Sequence, residues 1–137
     1  MSTTLTLRIA SVIALLFAAG HMMGGLKKWS PMGDNDVLKA MTSVRFNVMG
    51  ENRSYREFYM GFGWLVGVAM LLQAALLWQM ASIASSNVAQ VRQMVASFAI
   101  ATFASGVIAW RFIFPIPALF SGVLLVALIA AYLTARG

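Results

Sequence analysis

Four apolar stretches dominate this chain, at about 8–25, 58–80, 88–110 and 115–133. Each is close to the roughly 20 residues that a helix needs to cross the hydrocarbon of a bilayer. Backbone amides in hydrocarbon must be paired within their own segment, so stretches of this kind predict helices. The chain is 61% hydrophobic and only 10% charged, against about 25% charged in an average soluble domain. So little polar surface excludes an ordinary soluble enzyme or a disordered regulator. The expectation is an all-α transmembrane four-helix bundle forming one domain over residues 1–137.

The first stretch follows Arg8 and so also has the outline of a signal peptide. Its apolar character continues past Ala18-Ala19-Gly20 and through Met22-Met23, and it is read as a span. The second, 58–80, is the longest and least interrupted. Gln90, Arg92 and Gln93 place the start of the third near the headgroups. Pro115 and Pro117 block continuation of that helix into the fourth.

Polarity is concentrated in one loop, 26–57. It holds all four acids, Asp34, Asp36, Glu51 and Glu57, and six of the ten basic residues. Pro31, Gly33, Asp34 and Asn35 predict a turn. Asp36 reads as the cap of an amphipathic helix from Val37 to about Met49, with Val37, Met41, Val44 and Val48 on one face and Gly50 ending it. A net-basic amphipathic helix between two spans is expected to lie in the membrane interface. The positive-inside rule then orients the chain. Lys27, Lys28, Lys39, Arg45, Arg53, Arg56 and Arg111 fall on one side, against Arg8, Arg92 and Arg136 on the other. This places loop 26–57 in the cytoplasm and both termini outside. The net charge of +6 is assigned to this bias and to anionic lipid, with no nucleic-acid partner.

The chain has no cysteine and one histidine. Thiolate chemistry, iron–sulfur clusters and bis-His haem ligation are excluded, and no metal or cofactor is expected. His21, near the loop end of the first span, is the ionisable group closest to membrane depth. Arg53, Tyr55, Glu57 and Tyr59 form the densest polar cluster. On a helix Arg53 would pair with Glu57. Glu57 beside His21 would make a carboxylate–imidazole pair suited to proton transfer or headgroup binding. The plain alternative is an interfacial anchor, with charges among headgroups and tyrosines in the aromatic belt. Gly20–Gly24 and Gly63–Gly67 are GxxxG patterns that let helices approach closely. They serve packing within the bundle or a homodimer. Ala101, Ser105 and Ala109 continue a stripe of small residues on the third span.

Leu7-Arg8-Ile9 opening the first span, Phe17-Ala-Ala-Gly-His21 with Lys27 at its exit, and Tyr59-Met-Gly-Phe-Gly63 resemble the small bacterial four-span proteins of the DoxX-like kind. That resemblance implies a bacterial inner-membrane protein and transfers no catalytic residue. The leading expectation is a non-enzymatic integral membrane protein. It would bind a lipid, an apolar ligand or a partner protein in a pocket of His21, Arg53, Tyr55, Glu57 and Tyr59 under the interfacial helix. An oligomeric small-solute transporter or channel is the second reading. A membrane enzyme using Glu57 and His21 on a lipid-like substrate is the third.

Overall fold

The computed structural model describes residues 2–26, 30 and 32–135. Lys27, Lys28, Pro31 and Arg136, which enter the orientation and turn arguments, lie outside the described residues. The elements are α1 (Thr3–Gly20), a π-helical segment (His21–Leu26), α2 (Asp36–Ser43), β1 (Arg45–Val48), β2 (Glu51–Ser54), α3 (Tyr55–Ile83), α4 (Val88–Phe112) and α5 (Pro115–Thr134). Four of these helical stretches are long and apolar enough to cross a membrane, running Thr3–Gly24, Tyr55–Ile83, Val88–Phe112 and Pro115–Thr134. The chain is a multi-pass membrane protein by that criterion.

Capping residues set the ends. Ser2 Oγ accepts from the Leu5 amide at 3.3 Å, so α1 starts at Thr3 and Arg8 lies one turn inside the helix, not in front of it. Asn87 caps α4 by accepting from the Gln90 amide. Pro115 occupies the first turn of α5, where its missing N–H costs nothing. The 29 residues of α3 extend about 43 Å at a rise of about 1.5 Å per residue, longer than the hydrocarbon of a bilayer.

The chain divides into two compact units, Met1–Phe17 with Met70–Gly137, and Ala18–Ala69. The first unit has one core. Leu7, Ala10 and Ala14 of α1, Ala74, Leu77, Met80 and Ala81 of α3, Val91 and Val95 of α4, and Leu124, Leu128 and Ala131 of α5 are buried together. Their three- and four-residue spacing is the inward seam of each helix. Alanine at so many of these positions lets backbones approach. Bulk is on the outside: Ile100, Phe103, Trp110, Leu119 and Val126 are exposed. In water that surface would be costly, whereas hydrocarbon solvates it without penalty. Side-chain hydrogen bonds cross between helices inside the unit. Ser11 Oγ donates to the Ala74 carbonyl at 2.7 Å, and Gln73 Nε2 donates to Thr102 Oγ1 at 3.4 Å.

On α4 the close-approach position is Gly106, where a Cβ would stand 3.2 Å from Ser121 Cβ of α5. Thr102 and Ala109 are buried beside it, whereas Ala101 and Ser105 are exposed. The small stripe expected at Ala101, Ser105 and Ala109 is therefore rotated by about one residue. All these residues are small, and composition cannot tell which edge of the wheel meets α5.

In the second unit the expected helix from Val37 to Met49 is corrected. Its N-cap is Asn35, which accepts from the Leu38 amide, and it stops at Ser43. Arg45–Val48 and Glu51–Ser54 then form an antiparallel hairpin, pairing Arg45 with Ser54 and Val48 with Glu51. The two-residue loop is Met49-Gly50, both left-handed, with φ of 52° and 86°. That is the primed turn favoured by twisted hairpins. Gly50 thus turns a hairpin and ends no helix. Phe46 drives the change by packing against Tyr55 and Phe58 at centroid distances of 5.0 and 5.5 Å.

Candidate functional site

The polar residues singled out from the sequence all belong to the Ala18–Ala69 unit, but they fall into two separate groups. The first is the junction between the hairpin and α3. Ser54, buried, accepts from the Glu57 amide through Oγ at 3.1 Å. The Ser54 amide donates to Glu57 Oε2 at 2.7 Å. This reciprocal pair is a capping box, and it satisfies two helix-end donors at once. Glu57 also meets Arg45 of β1 at 3.4 Å. Arg53 lies on β2 and pairs with Glu51 at 2.6 Å, so the expected helical pair of Arg53 with Glu57 is replaced by two strand-borne pairs. The reason is geometric: residues 51–54 are extended, and only from Tyr55 does helical spacing apply.

The cap yields a direct test. Ser54→Ala should cost about 1 kcal/mol locally, read as roughly fivefold faster amide exchange at residues 54–58, and Glu57→Ala should speed exchange at the same residues. Glu57→Gln, which still accepts from the Ser54 amide, should stay close to wild type. A Glu57→Gln variant as disturbed as Glu57→Ala would contradict the capping role.

The second group is centred on His21. Its Nε2–H donates to the Gly63 carbonyl of α3 at 2.9 Å, a pairing that assigns the ring proton to Nε2. A Cβ at Gly67 would stand 3.6 Å from His21 Cδ2 and 3.2 Å from Met22 Cγ. A Cβ at Gly63 would run into Leu26. The Gly63–Gly67 pair thus receives the π-helical segment His21–Leu26, whose Gly24-Gly25 lowers the α preference locally. Around Gly20 and Gly24 there is open space within 4 Å of where a Cβ would stand. His21 and Glu57 are engaged with different partners and do not form the carboxylate–imidazole pair expected from the sequence.

The concavity of this unit lies elsewhere. Asp36, Val37, Ala40, Met41 and Val44, from α2 and the residue that ends it, line with Tyr55 a shallow, open recess of about 360 Å³. Tyr55 opens α3 and packs against Phe46 with the rings tilted by 52°, and its ring forms one wall. Tyr59 lies one turn further along α3 and is half exposed. Along the opposite face of α2, Leu38, Lys39, Thr42 and Ser43 border a second recess with Asp34 and Arg56. α2 is therefore apolar on one side and polar on the other, and it has no buried residue. Sequence periodicity found Val37, Met41 and Val44. It could not find that Tyr55 lines the recess, because that depends on the hairpin turning the chain back. Among the described residues, no three His, Asp or Glu side chains gather as a metal site.

No family model matches the chain, and no curated protein or solved structure is significantly similar to it.

Proposed function

We propose that this protein is a small non-enzymatic integral membrane protein that holds the acyl chain of a membrane lipid against α2. The single observation carrying this reading is the recess of Val37, Ala40, Met41, Val44 and Tyr55. Its surface is apolar, and Asp36 is the one charged residue that lines it. It abuts the first residue of a membrane-length helix, at the depth where chain and headgroup meet. In this reading the four long helices form a four-helix bundle. α2 and the hairpin lie in the interface as an amphipathic cap on the cytoplasmic side, and the termini are outside. Seven basic residues against three support that orientation, and a C-terminal reporter active in the cytoplasm would overturn it. The reading also keeps the kinship with small bacterial inner-membrane four-span proteins that Leu7-Arg8-Ile9 and Phe17–His21 suggest. His21 acts here as a packing residue, and Glu57 as a cap.

The cysteine-free sequence makes site-directed spin labelling clean. With Met41→Cys and Lys39→Cys labelled in turn in phospholipid vesicles, the label at 41 should favour oxygen over a water-soluble nickel chelate, and the label at 39 the reverse. Lipids brominated along the chain should quench a fluorophore at 41 and spare one at 39. Equal water accessibility at both positions would remove the proposal.

A further inference from the structure

The recess on the polar side of α2 is open, holds about 370 Å³, and is lined by Asp34, Leu38, Lys39, Thr42, Ser43 and Arg56. Asp34 precedes α2, the next four residues belong to α2, and Arg56 lies in the first turn of α3. Two cations and one carboxylate therefore border one space. Elsewhere in the unit opposite charges neutralise one another: Arg45 meets Glu57, and Arg53 meets Glu51. Among the described residues, the side chains of Asp34 and Arg56 have neither an ion pair nor a hydrogen bond. Lys39 Nζ lies 3.4 Å from Asp36 Oδ1, a contact that engages one of its three N–H donors and leaves the others.

The hydroxyls complete the pattern. Thr42 Oγ1 donates to the Leu38 carbonyl at 2.8 Å, and Ser43 Oγ donates to the Ala40 carbonyl at 3.4 Å. A hydroxyl has one proton, so only acceptor lone pairs remain to these two oxygens. The recess thus offers two cationic donors beside three acceptor groups, the Asp34 carboxylate and the two hydroxyls. A simple anion would suit Lys39 and Arg56 but be repelled by Asp34. A simple cation would do the reverse. A zwitterion with a phosphate a short link away from an ammonium satisfies both sets. The ammonium must carry N–H bonds, because a trimethylated one has nothing to donate to the acceptors.

We propose that this recess binds the phosphoethanolamine headgroup of a membrane phospholipid, with Lys39 and Arg56 on the phosphate and Asp34, Thr42 and Ser43 on the ammonium. The inference rests on the interfacial placement of α2 in the function proposed above, and adds a headgroup class to it. The polar side of an interfacial helix faces the headgroups, so the recess stands where a lipid phosphate and its amine are found.

The test is native mass spectrometry of the full chain in detergent, with phosphatidylethanolamine, phosphatidylcholine or phosphatidylglycerol of identical acyl chains. Phosphatidylethanolamine should bind about fivefold tighter than phosphatidylcholine. Asp34→Asn should erase that preference, and by removing a repulsion it should strengthen phosphatidylglycerol about twofold. Lys39→Gln and Arg56→Gln should each weaken all three lipids about fivefold. Glu51→Gln, the same charge change on the hairpin, should leave the preference as it is. Asp34, Lys39 and Arg56 are exposed, so these variants keep the fold. Equal binding of phosphatidylethanolamine and phosphatidylcholine, or a preference that survives Asp34→Asn, overturns the site. Soluble glycerophosphoethanolamine displacing the lipid at equal concentration reassigns the recess to a free ligand and overturns the lipid. Spin labels at 41 and 39 that differ as expected, with no preference for phosphatidylethanolamine, overturn this site and leave the interfacial placement of α2 standing.

Discussion

Gly106→Leu should destabilise the protein by about 3 kcal/mol, whereas Gly106→Ala should be near neutral. The missing Cβ of Gly106 faces Ser121 Cβ at 3.2 Å, and Ser121 is itself buried. An alanine methyl there needs a shift of a few tenths of an ångström. Its cost is offset by the roughly 1 kcal/mol of helix preference that alanine has over glycine. A leucine has no such escape. It must separate α4 from α5 and lose the packing of Thr102 and Ala109 with it. In lipid that packing is what holds helices together, since no water is released by burying apolar surface against hydrocarbon. Reversible unfolding in mixed micelles reads both values. Ser121→Gly should rescue any residual cost of Gly106→Ala. If Gly106→Leu unfolds like wild type, the α4–α5 interface is not where Gly106 places it.

Leu77→Ala should cost about 2 kcal/mol, at the lower end of what a buried leucine costs in water. Leu77 is fully buried in the core of its unit. In a soluble protein its truncation would lose both transfer from water and cavity packing. A side chain released within a membrane passes from protein to hydrocarbon, so the transfer part largely vanishes and the cavity part remains. Leu72, on the same helix but 57% exposed, gives the control. Leu72→Ala should stay within about 0.5 kcal/mol, because lipid fills the space it leaves. Equal costs at 72 and 77 would mean that α3 is turned differently from the arrangement described.

Helix identity and number were legible because hydropathy accumulates over some twenty residues and no single position decides it. The second, third and fourth spans begin within three residues of their expected starts, and the first begins earlier, at Thr3, because Ser2 supplies the cap. The short polar segment was read less well. Val37, Met41, Val44 and Val48 fit a helical face, yet Val48 belongs to a strand. The turn that breaks the pattern puts Met49 in the left-handed region, where methionine gives no warning as asparagine would. Arg53, Tyr55, Glu57 and Tyr59 stand close together along the sequence, but their partners are not legible there. Charge and spacing allowed Arg53 to meet Glu57 and Glu57 to meet His21. The hairpin instead gives Arg53 to Glu51 and Arg45 to Glu57, and the Gly63 carbonyl takes His21.

The sequence by itself determined that four helices here are of membrane length, that all acidic residues fall between positions 34 and 57, and that thiol chemistry is absent. These are properties of composition summed along a segment, and folding does not alter them. Only the tertiary structure decided that Phe46 on Tyr55 and Phe58 folds a hairpin out of an apparent helix. It alone chose Gly106 over Ala101 and Ser105 to face α5, and it set Arg8 on Trp78 and Arg92 on Tyr132. Each of those outcomes selects among side chains of nearly equal local preference, and the selection is made by contacts with residues distant along the chain.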